Sequence, residues 1–165
     1  MTPAQQQLIR TSWNAVEPIA DDAATMFYDR LFESDPTVRP LFGYTDMDTQ
    51  RRALMQMFAV VVRYIDRLDG ITPELQALGR RHAGYGVGID HYASVGRALI
   101  GTLEEGLGDA FTHETAIAWA DAYRRVSSVM IEAAQQTDTR STRPMRRRWR
   151  TMALPLGWQL HSTPT

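Results

Sequence analysis

Residues 54–65 have the sequence LMQMFAVVVRYI, and their spacing predicts a long amphipathic helix. The positions i, i+4, i+7, i+8 and i+11 of this segment are apolar and share one helix face: Leu54, Phe58, Val61, Val62 and Ile65. The stripe predicts a helix of about 20 residues, roughly 30 Å long. We expect it to end at Asp69 and Gly70. The β-branched residues 60–62 lie inside the stripe, so they do not predict a strand.

Helices are also predicted on both sides of this segment. Thr2 and Gln5 have the spacing of a capping box, with Pro3 at the first helical position. Further helix starts and stops are marked by Pro18, the turn from Asp35 to Phe42, Thr72–Glu74, Gly84, Gly106–Gly108 and Thr112. No stretch alternates like a strand between two turn signals. The sequence therefore predicts an all-α fold.

The composition is typical of a soluble globular protein. The chain has 165 residues, of which 44% are hydrophobic and 22% charged, and this length predicts one domain. No apolar run approaches the ~18 residues of a membrane span, and the first residues lack a signal-peptide pattern. We therefore expect a cytoplasmic protein. The absence of cysteine excludes disulfides, thiolate metal sites and cysteine nucleophiles.

Charge divides the chain into an acidic body and a basic tail. Residues 138–165 hold six arginines and one acid, about +5, so the remaining body is about −6 for a net charge of −1. We predict a domain over residues 1–136 and a flexible basic tail over residues 137–165. The body has no basic patch for nucleic acid. The tail could touch an anionic membrane, nucleic acid or the acidic body. A solvated end is the simpler interpretation, and neither nucleic-acid nor membrane contact is expected.

His82 is the residue that points to chemistry. It shares a predicted helix face with Leu75 and Leu78, where a lone histidine is more often an ordinary core residue than a ligand. No second ligand stands one turn away, so a zinc site is disfavoured. A haem needs only one protein ligand and an apolar slot between two helices. The helix of residues 54–65 and the short helix of His82 supply that slot. Other candidate sites, such as Glu104–Glu105 and Ser127–Ser128, have no pattern that indicates catalysis or binding.

The order of several short motifs resembles a known family, the three-on-three globins. The motifs are Tyr28, residues 36–42 (PTVRPLF), Gln50, residues 78–82 (LGRRH), residues 85–87 (YGV) and residues 91–96 (HYASVG). The closest likeness is to bacterial single-domain globins that are similar to neuroglobin and to the globin part of flavohaemoglobins. It covers about residues 3–135, and the tail lies outside it.

The resemblance implies a three-on-three helical sandwich around a haem b, with His82 as the iron ligand. Tyr28 and Gln50 fall on the positions that bind the distal gas ligand. Arg81 falls where the family often places a cation near a haem propionate. The residues expected to contact the haem are Phe42, Leu54, Phe58, Leu78, Arg81, Tyr85, Val87 and Tyr92.

The chemistry of the distal pair agrees with this assignment. A tyrosine hydroxyl and a glutamine amide can both donate hydrogen bonds to dioxygen, each contributing about 1–2 kcal/mol in an apolar pocket. Together they are expected to slow dissociation of dioxygen roughly 30-fold or more. A glutamine amide is a poor iron ligand, so the sixth site should stay open.

The leading hypothesis is reversible binding of dioxygen, nitric oxide and carbon monoxide, without catalysis by the chain itself. One alternative is nitric-oxide dioxygenation with a separate reductase. Another is a haem-based gas or redox sensor. Flavohaemoglobins place a tyrosine and a glutamate behind the iron ligand; Tyr92 matches the tyrosine, but the glutamate position falls near Gln136. This difference puts strong dioxygenase chemistry in doubt.

Overall fold

The computed structural model describes residues 1–138, and all the regular structure in that range is helical. The helices are α1 (Pro3–Val16), α2 (Ala20–Ser34), α3 (Met47–Arg63), α4 (Thr72–Gly84), α5 (Ile89–Leu107) and α6 (His113–Asp138). Short 3₁₀ turns cover Glu17–Ile19, Pro36–Phe42, Leu68–Ile71 and Gly108–Ala110. The all-α prediction is confirmed. None of the helices described is long and apolar enough to cross a membrane.

Several helix starts follow the predicted capping chemistry. The Gln5 backbone N–H donates to Thr2 Oγ1 at 3.2 Å, and Thr2 N–H donates to Gln5 Oε1 at 2.8 Å. These two bonds satisfy N–H groups that the first turn leaves free. Thr112 caps α6 in the same way, because its Oγ1 accepts the Thr115 N–H at 3.3 Å.

The long helix is shorter than the sequence predicts. α3 ends at Arg63, and Asp69 and Gly70 lie in a separate 3₁₀ turn. The Tyr64 N–H bonds to the Val60 carbonyl at 3.0 Å, and the Ile65 N–H bonds to the Val62 carbonyl at 3.3 Å, so the last turn tightens and stops. Three consecutive valines have lower helix propensity than straight-chain residues, which favours an end here. Ile65 stays buried although it lies beyond the helix.

The helices form two layers of three. One layer contains α1, α3 and α4, and the other contains α2, α5 and α6. The backbones of the two layers come very close where α4 crosses α6: a Cβ on Gly79 would lie 2.1 Å from the carbonyl oxygen of Met130. Only glycine permits this approach. The arrangement is the three-on-three sandwich that the resemblance implied.

Two tryptophans occupy the centre of the sandwich. Trp13 lies between Phe58, with ring centroids 6.3 Å apart, and Trp119, at 6.4 Å. The indole N–H of Trp119 donates to Ser12 Oγ at 2.8 Å, which satisfies the buried polar atom. Trp119 also forms the inner wall of a cavity that continues outward between α3, α4, α5 and α6.

The predicted tail lies outside the residues that the structure describes, except at its start. α6 continues to Asp138, two residues past the predicted domain end at residue 136. The prediction that residues 137–165 form a basic flexible tail therefore stays a prediction.

Candidate functional site

An apolar cavity opens between four helices. Its walls come from α3, α4, α5 and α6, and about 780 Å³ inside it holds no protein atom, part of this being open to solvent. Most wall residues are aliphatic or aromatic; the polar side chains among them are His82, His91, Tyr92, Tyr123 and Ser127. A flat apolar group with one coordination position fits such a slot better than a polar ligand.

His82 stands in this wall with its tautomer fixed. Its Nδ1 lies 2.9 Å from the Leu78 carbonyl oxygen one turn earlier in α4. A carbonyl can only accept, so Nδ1 carries the proton and Nε2 keeps an open lone pair. Burial lowers the pKa of His82 below its ordinary value; the bond to Leu78 opposes this shift and the Arg81 charge adds to it. The ring is therefore neutral at pH 7, as a metal ligand must be.

His91 lies in the same wall but is poorly prepared to bind a metal. Its Nδ1 accepts the Gly88 N–H at 3.0 Å, which makes it part of the start of α5. Its Nε2 lies 3.5 Å from Thr37 Oγ1. Both ring nitrogens are thus directed at protein groups, and His82 is the better ligand. Among residues 1–138, no three His, Cys, Asp or Glu side chains gather into a cluster that could hold a metal ion.

Tyr28 and Gln50 form a buried pair where α2 meets α3. Gln50 Nε2 donates to the Tyr28 hydroxyl oxygen at 3.1 Å, so the phenolic proton remains free to donate elsewhere. Burial raises the pKa of Tyr28 to about 12, which keeps that proton in place at neutral pH. Gln50 Oε1 is buried without a partner among the residues described. An orphaned buried acceptor beside a free donor is typical of a polar site that a ligand completes.

The pair stands beside the cavity and not in its wall. Gln50 precedes Leu54 by one turn of α3, and Leu54 does line the cavity. The Tyr28 ring packs on Phe42 and Phe32, with centroids 5.6 and 5.8 Å away. These aromatic contacts fix the hydroxyl at the α2–α3 contact.

The Tyr92 ring lies next to His82 and carries an unsatisfied hydroxyl. The two rings lie 6.3 Å apart with 33° between their planes. The Tyr92 hydroxyl is buried and has no hydrogen-bond partner in the part of the chain described. Burial raises its pKa to about 12. Its backbone carbonyl accepts from the Tyr123 hydroxyl at 2.6 Å, which fixes α5 to α6 behind the cavity.

The structure brings together most of the residues predicted for the site. The predicted residues in the cavity wall are His82, Leu54, Phe58, Leu78, Val87 and Tyr92. Phe42 lies outside the wall, with its ring 5.4 Å from that of Phe32. Arg81 is half-buried next to His82, and the Tyr85 N–H closes α4 by bonding to the Arg81 and His82 carbonyls at 3.0 and 3.1 Å. Neither Arg81 nor Tyr85 lines the wall.

Sequence reasoning missed the contribution of α6. Trp119, Ala122, Val126 and Met130 line the cavity from this helix, at spacings of three and four. The sequence shows this spacing, but an apolar stripe alone does not distinguish a cavity wall from an ordinary buried helix face. Met57, Val61 and His91 were also missed as wall residues.

Comparison with known proteins gives a consistent family. The Globin family model matches residues 25–130. A flavohemoprotein of Bordetella parapertussis is 29% identical over 133 residues, which are 79% of this chain and 33% of the relative. Flavohemoproteins of Vibrio cholerae and Bacillus subtilis are 28% and 29% identical, over 80% and 76% of this chain and 34% and 32% of their own lengths. The chain therefore spans about a third of these curated relatives.

Solved structures share the fold. A bacterial globin from Campylobacter jejuni has a TM-score of 0.73 at 23% identity, covering 84% of this chain and 99% of its own. An engineered carbene transferase, made from a protein of Rhodothermus marinus described as a candidate nitric oxide dioxygenase, has a TM-score of 0.76 at 24% identity. It is matched over 84% of this chain and 96% of its own. At these identities the likeness establishes the fold alone.

Proposed function

The chain belongs to the globin family, and on this premise we propose that it holds a haem b through His82 and reversibly binds dioxygen, nitric oxide and carbon monoxide. The observation that carries the proposal is the bond from His82 Nδ1–H to the Leu78 carbonyl. This bond leaves Nε2 available for iron in the wall of an apolar cavity of suitable shape.

When bound, the haem supplies the iron at which a diatomic gas is held. The protein contributes an apolar wall, which excludes water. It also contributes a hydrogen-bond donor beside the site. Tyr28 is that donor, because Gln50 donates to its oxygen and leaves its proton free. Leu54, one turn from Gln50, lines the cavity and would limit the space beside a bound gas. The arrangement supports slow release of a ligand that gains negative charge on binding.

Nitric-oxide dioxygenation with a separate reductase is the second candidate. The flavohemoprotein relatives and the engineered Rhodothermus marinus protein motivate it. The surroundings of His82 favour simple binding, because its Nδ1–H donates to a neutral backbone carbonyl. A carboxylate partner would make the imidazole a stronger electron donor. The Tyr92 hydroxyl, which has no partner within the described part of the chain, gives no such support.

The visible spectrum of the purified ferrous protein under argon tests the haem assignment. We expect a strong near-ultraviolet haem band with one broad visible band, which indicates an open sixth site. His82→Ala should lose or greatly alter these bands, while the matched variant His91→Ala should keep them. Two sharp visible bands without added ligand would mean an internal sixth ligand. Loss of the bands in His91→Ala alone would mean that His91, and not His82, holds the iron.

Nitric-oxide consumption separates the two functions. The oxygenated protein is mixed with repeated additions of nitric oxide, with NADH and a flavin reductase present. Sustained consumption over many additions would favour the dioxygenase. A single round that stops with ferric protein, despite the reductase, is the result expected for a binding protein.

A further inference from the structure

A second cavity opens on the outer surface between α5 and α6. It is lined on α5 by residues between Ala93 and Glu104 and on α6 by Ala120 and Tyr123, and we name it the α5–α6 groove. About 860 Å³ of it holds no protein atom, much of this being open to solvent. Tyr123 separates it from the inner cavity, since this residue lines both.

Two glycines keep side chains out of the groove. A Cβ on Gly96 would lie 2.8 Å from the Tyr123 ring, and one on Gly101 would lie 2.9 Å from the Arg30 guanidinium. Ile100 is half-buried in the groove, and Ile117, one turn before Ala120 on α6, is 47% exposed. The groove therefore presents apolar surface to solvent without a covering segment among residues 1–138.

Acidic side chains are exposed on α2, the helix that packs against α5 beside the groove. Asp22, Asp29 and Glu33 are exposed and recur at i, i+7 and i+11, with Met26 between them facing Gly106 of α5. Glu104 adds an exposed carboxylate within the groove. We name these four carboxylates, Asp22, Asp29, Glu33 and Glu104, the acidic rim.

The nearby cations do not neutralise the acidic rim. Arg30 forms an ion pair with Glu105, so its charge is already matched. Arg97 donates to Ser94 Oγ at 3.0 Å. Arg124, one turn after Ala120 on the α6 side, adds a second cation, because it shares its carboxylate partner with Arg125. Four rim carboxylates against Arg97 and Arg124 leave the groove with a net negative edge.

The chain itself carries a segment of complementary chemistry. Residues 139–165 have six arginines between Arg140 and Arg150, followed by the apolar residues Met152, Leu154, Leu156 and Trp158. α6 ends at Asp138, which is about 22 Å along the helix axis from Tyr123 at 1.5 Å per residue. The residues from Asp138 to Trp149 span up to about 36 Å when extended. The apolar part of the segment can therefore reach the groove.

We propose that residues 139–165 fold back along α6 and bind in the α5–α6 groove. The arginines from Arg140 to Arg150 contact the acidic rim, and the apolar residues after them cover Ile100, Ala120 and the outer edge of Tyr123. Opposite charge draws the segment to the body, and burial of apolar surface holds it there. The proposal does not depend on whether the inner cavity binds haem.

Cysteine cross-linking in the full chain tests the proposal, because the natural sequence has no cysteine. The test variant carries Ala120→Cys and Met152→Cys. The matched control carries Gln56→Cys and Met152→Cys, because Gln56 is exposed on α3 in the other layer. Under a mild oxidant, the intramolecular disulfide of the test pair should form about tenfold faster or more, since docking raises its effective concentration. Equal rates in the two pairs would overturn the proposal.

Neutralising the acidic rim tests the electrostatic part. Asp29→Asn combined with Glu33→Gln should slow cross-linking of the test pair several-fold, and raised salt should have the same effect. Asp69→Asn combined with Glu74→Gln removes two exposed carboxylates elsewhere and should leave the rate unchanged. Disulfide-linked dimers in place of cross-linked monomers would mean that the groove binds a second copy of the chain. If no cross-link forms and the chain sediments with phosphatidylserine vesicles, the segment binds an anionic membrane instead of the groove. Either result would contradict the proposal.

Discussion

The side-chain amide of Gln50 makes one hydrogen bond through its nitrogen and leaves its oxygen unsatisfied. Its amide nitrogen donates to Tyr28, while its Oε1 is buried and receives no hydrogen bond from residues 1–138. Leaving a buried acceptor unpaired costs about 1–3 kcal/mol in a stable protein. The resemblance predicted these two positions from the sequence, but not which one donates to the other. That direction depends on the contact between α2 and α3, which no local pattern encodes.

Tyr28→Phe should release dioxygen about tenfold faster or more. The substitution removes the free hydroxyl donor of the pair, and a hydrogen bond to a charged acceptor contributes about 1.5–3 kcal/mol. Stopped-flow displacement of dioxygen by carbon monoxide measures the rate. Tyr64→Phe, at a half-buried tyrosine outside the cavity wall, is the control and should leave it unchanged. An unaltered rate in Tyr28→Phe would remove Tyr28 from the proposed site.

Thr102→Val should raise the free energy of unfolding by about 1 kcal/mol. The Thr102 hydroxyl is buried and has no hydrogen-bond partner among the residues described, and valine has nearly the same shape. Chemical denaturation of the two proteins measures the difference. Thr115→Val provides the contrast, because the Thr115 hydroxyl lies 3.1 Å from Thr112 Oγ1. That variant should lose stability, and a loss in Thr102→Val would show that its hydroxyl has a partner.

At the scale of helices, the crossing of α4 and α6 decides where His82 stands. The crossing depends on Gly79, which lies in the turn before His82 and touches the Met130 backbone. The sequence contains both residues but not their contact, since 51 positions separate them. Local signals such as the Thr2 and Thr112 caps predicted helix starts correctly. They could not predict the early end of α3, because it depends on a tightened turn at Tyr64.

Gly79→Ala should destabilise the protein by about 3 kcal/mol and weaken haem retention. The added methyl cannot fit 2.1 Å from a backbone oxygen, so α4 must move away from α6 and carry His82 with it. Thermal unfolding and haem transfer to apomyoglobin measure the two effects. Gly84→Ala is the matched control: nothing lies within 4 Å of its added Cβ, and we expect a gain of about 0.5–1 kcal/mol. Equal stability of the two variants would contradict this account of the crossing.

At the scale of the whole molecule, Asp35 connects three segments. It caps the turn Pro36–Phe42 by accepting the Thr37 N–H at 3.1 Å, and it accepts from Ser94 Oγ of α5 at 2.6 Å, just after the end of α2. The bond from Ser94 is the main reason why the pKa of Asp35 lies below its ordinary value, followed by the bond from the Thr37 hydroxyl. The sequence predicted the turn at Asp35 and Pro36, but not the contact with α5.

Asp35 should contribute to the acid sensitivity of the fold. Its pKa is lower in the folded than in the unfolded chain, so its stabilising effect is present above the ordinary carboxyl pKa and is lost as pH falls through the folded value. Asp35→Asn should lower stability at pH 7 and make the decline below about pH 4 less steep. Urea unfolding between pH 7 and pH 2 measures both. Glu17→Gln, at an exposed residue, should follow the natural protein, and an unchanged acid slope in Asp35→Asn would contradict the prediction.

The bond between His82 and the Leu78 carbonyl also bears on how this protein can change through mutation. Its acceptor is a backbone atom, so any residue that keeps α4 helical at position 78 still offers it. Most substitutions at Leu78 can therefore alter the cavity wall without altering the tautomer of the histidine. A histidine oriented by a side-chain carboxylate would lose its partner by a single substitution. Substitutions in the cavity wall can therefore change its shape, while the tautomer of His82 stays the same.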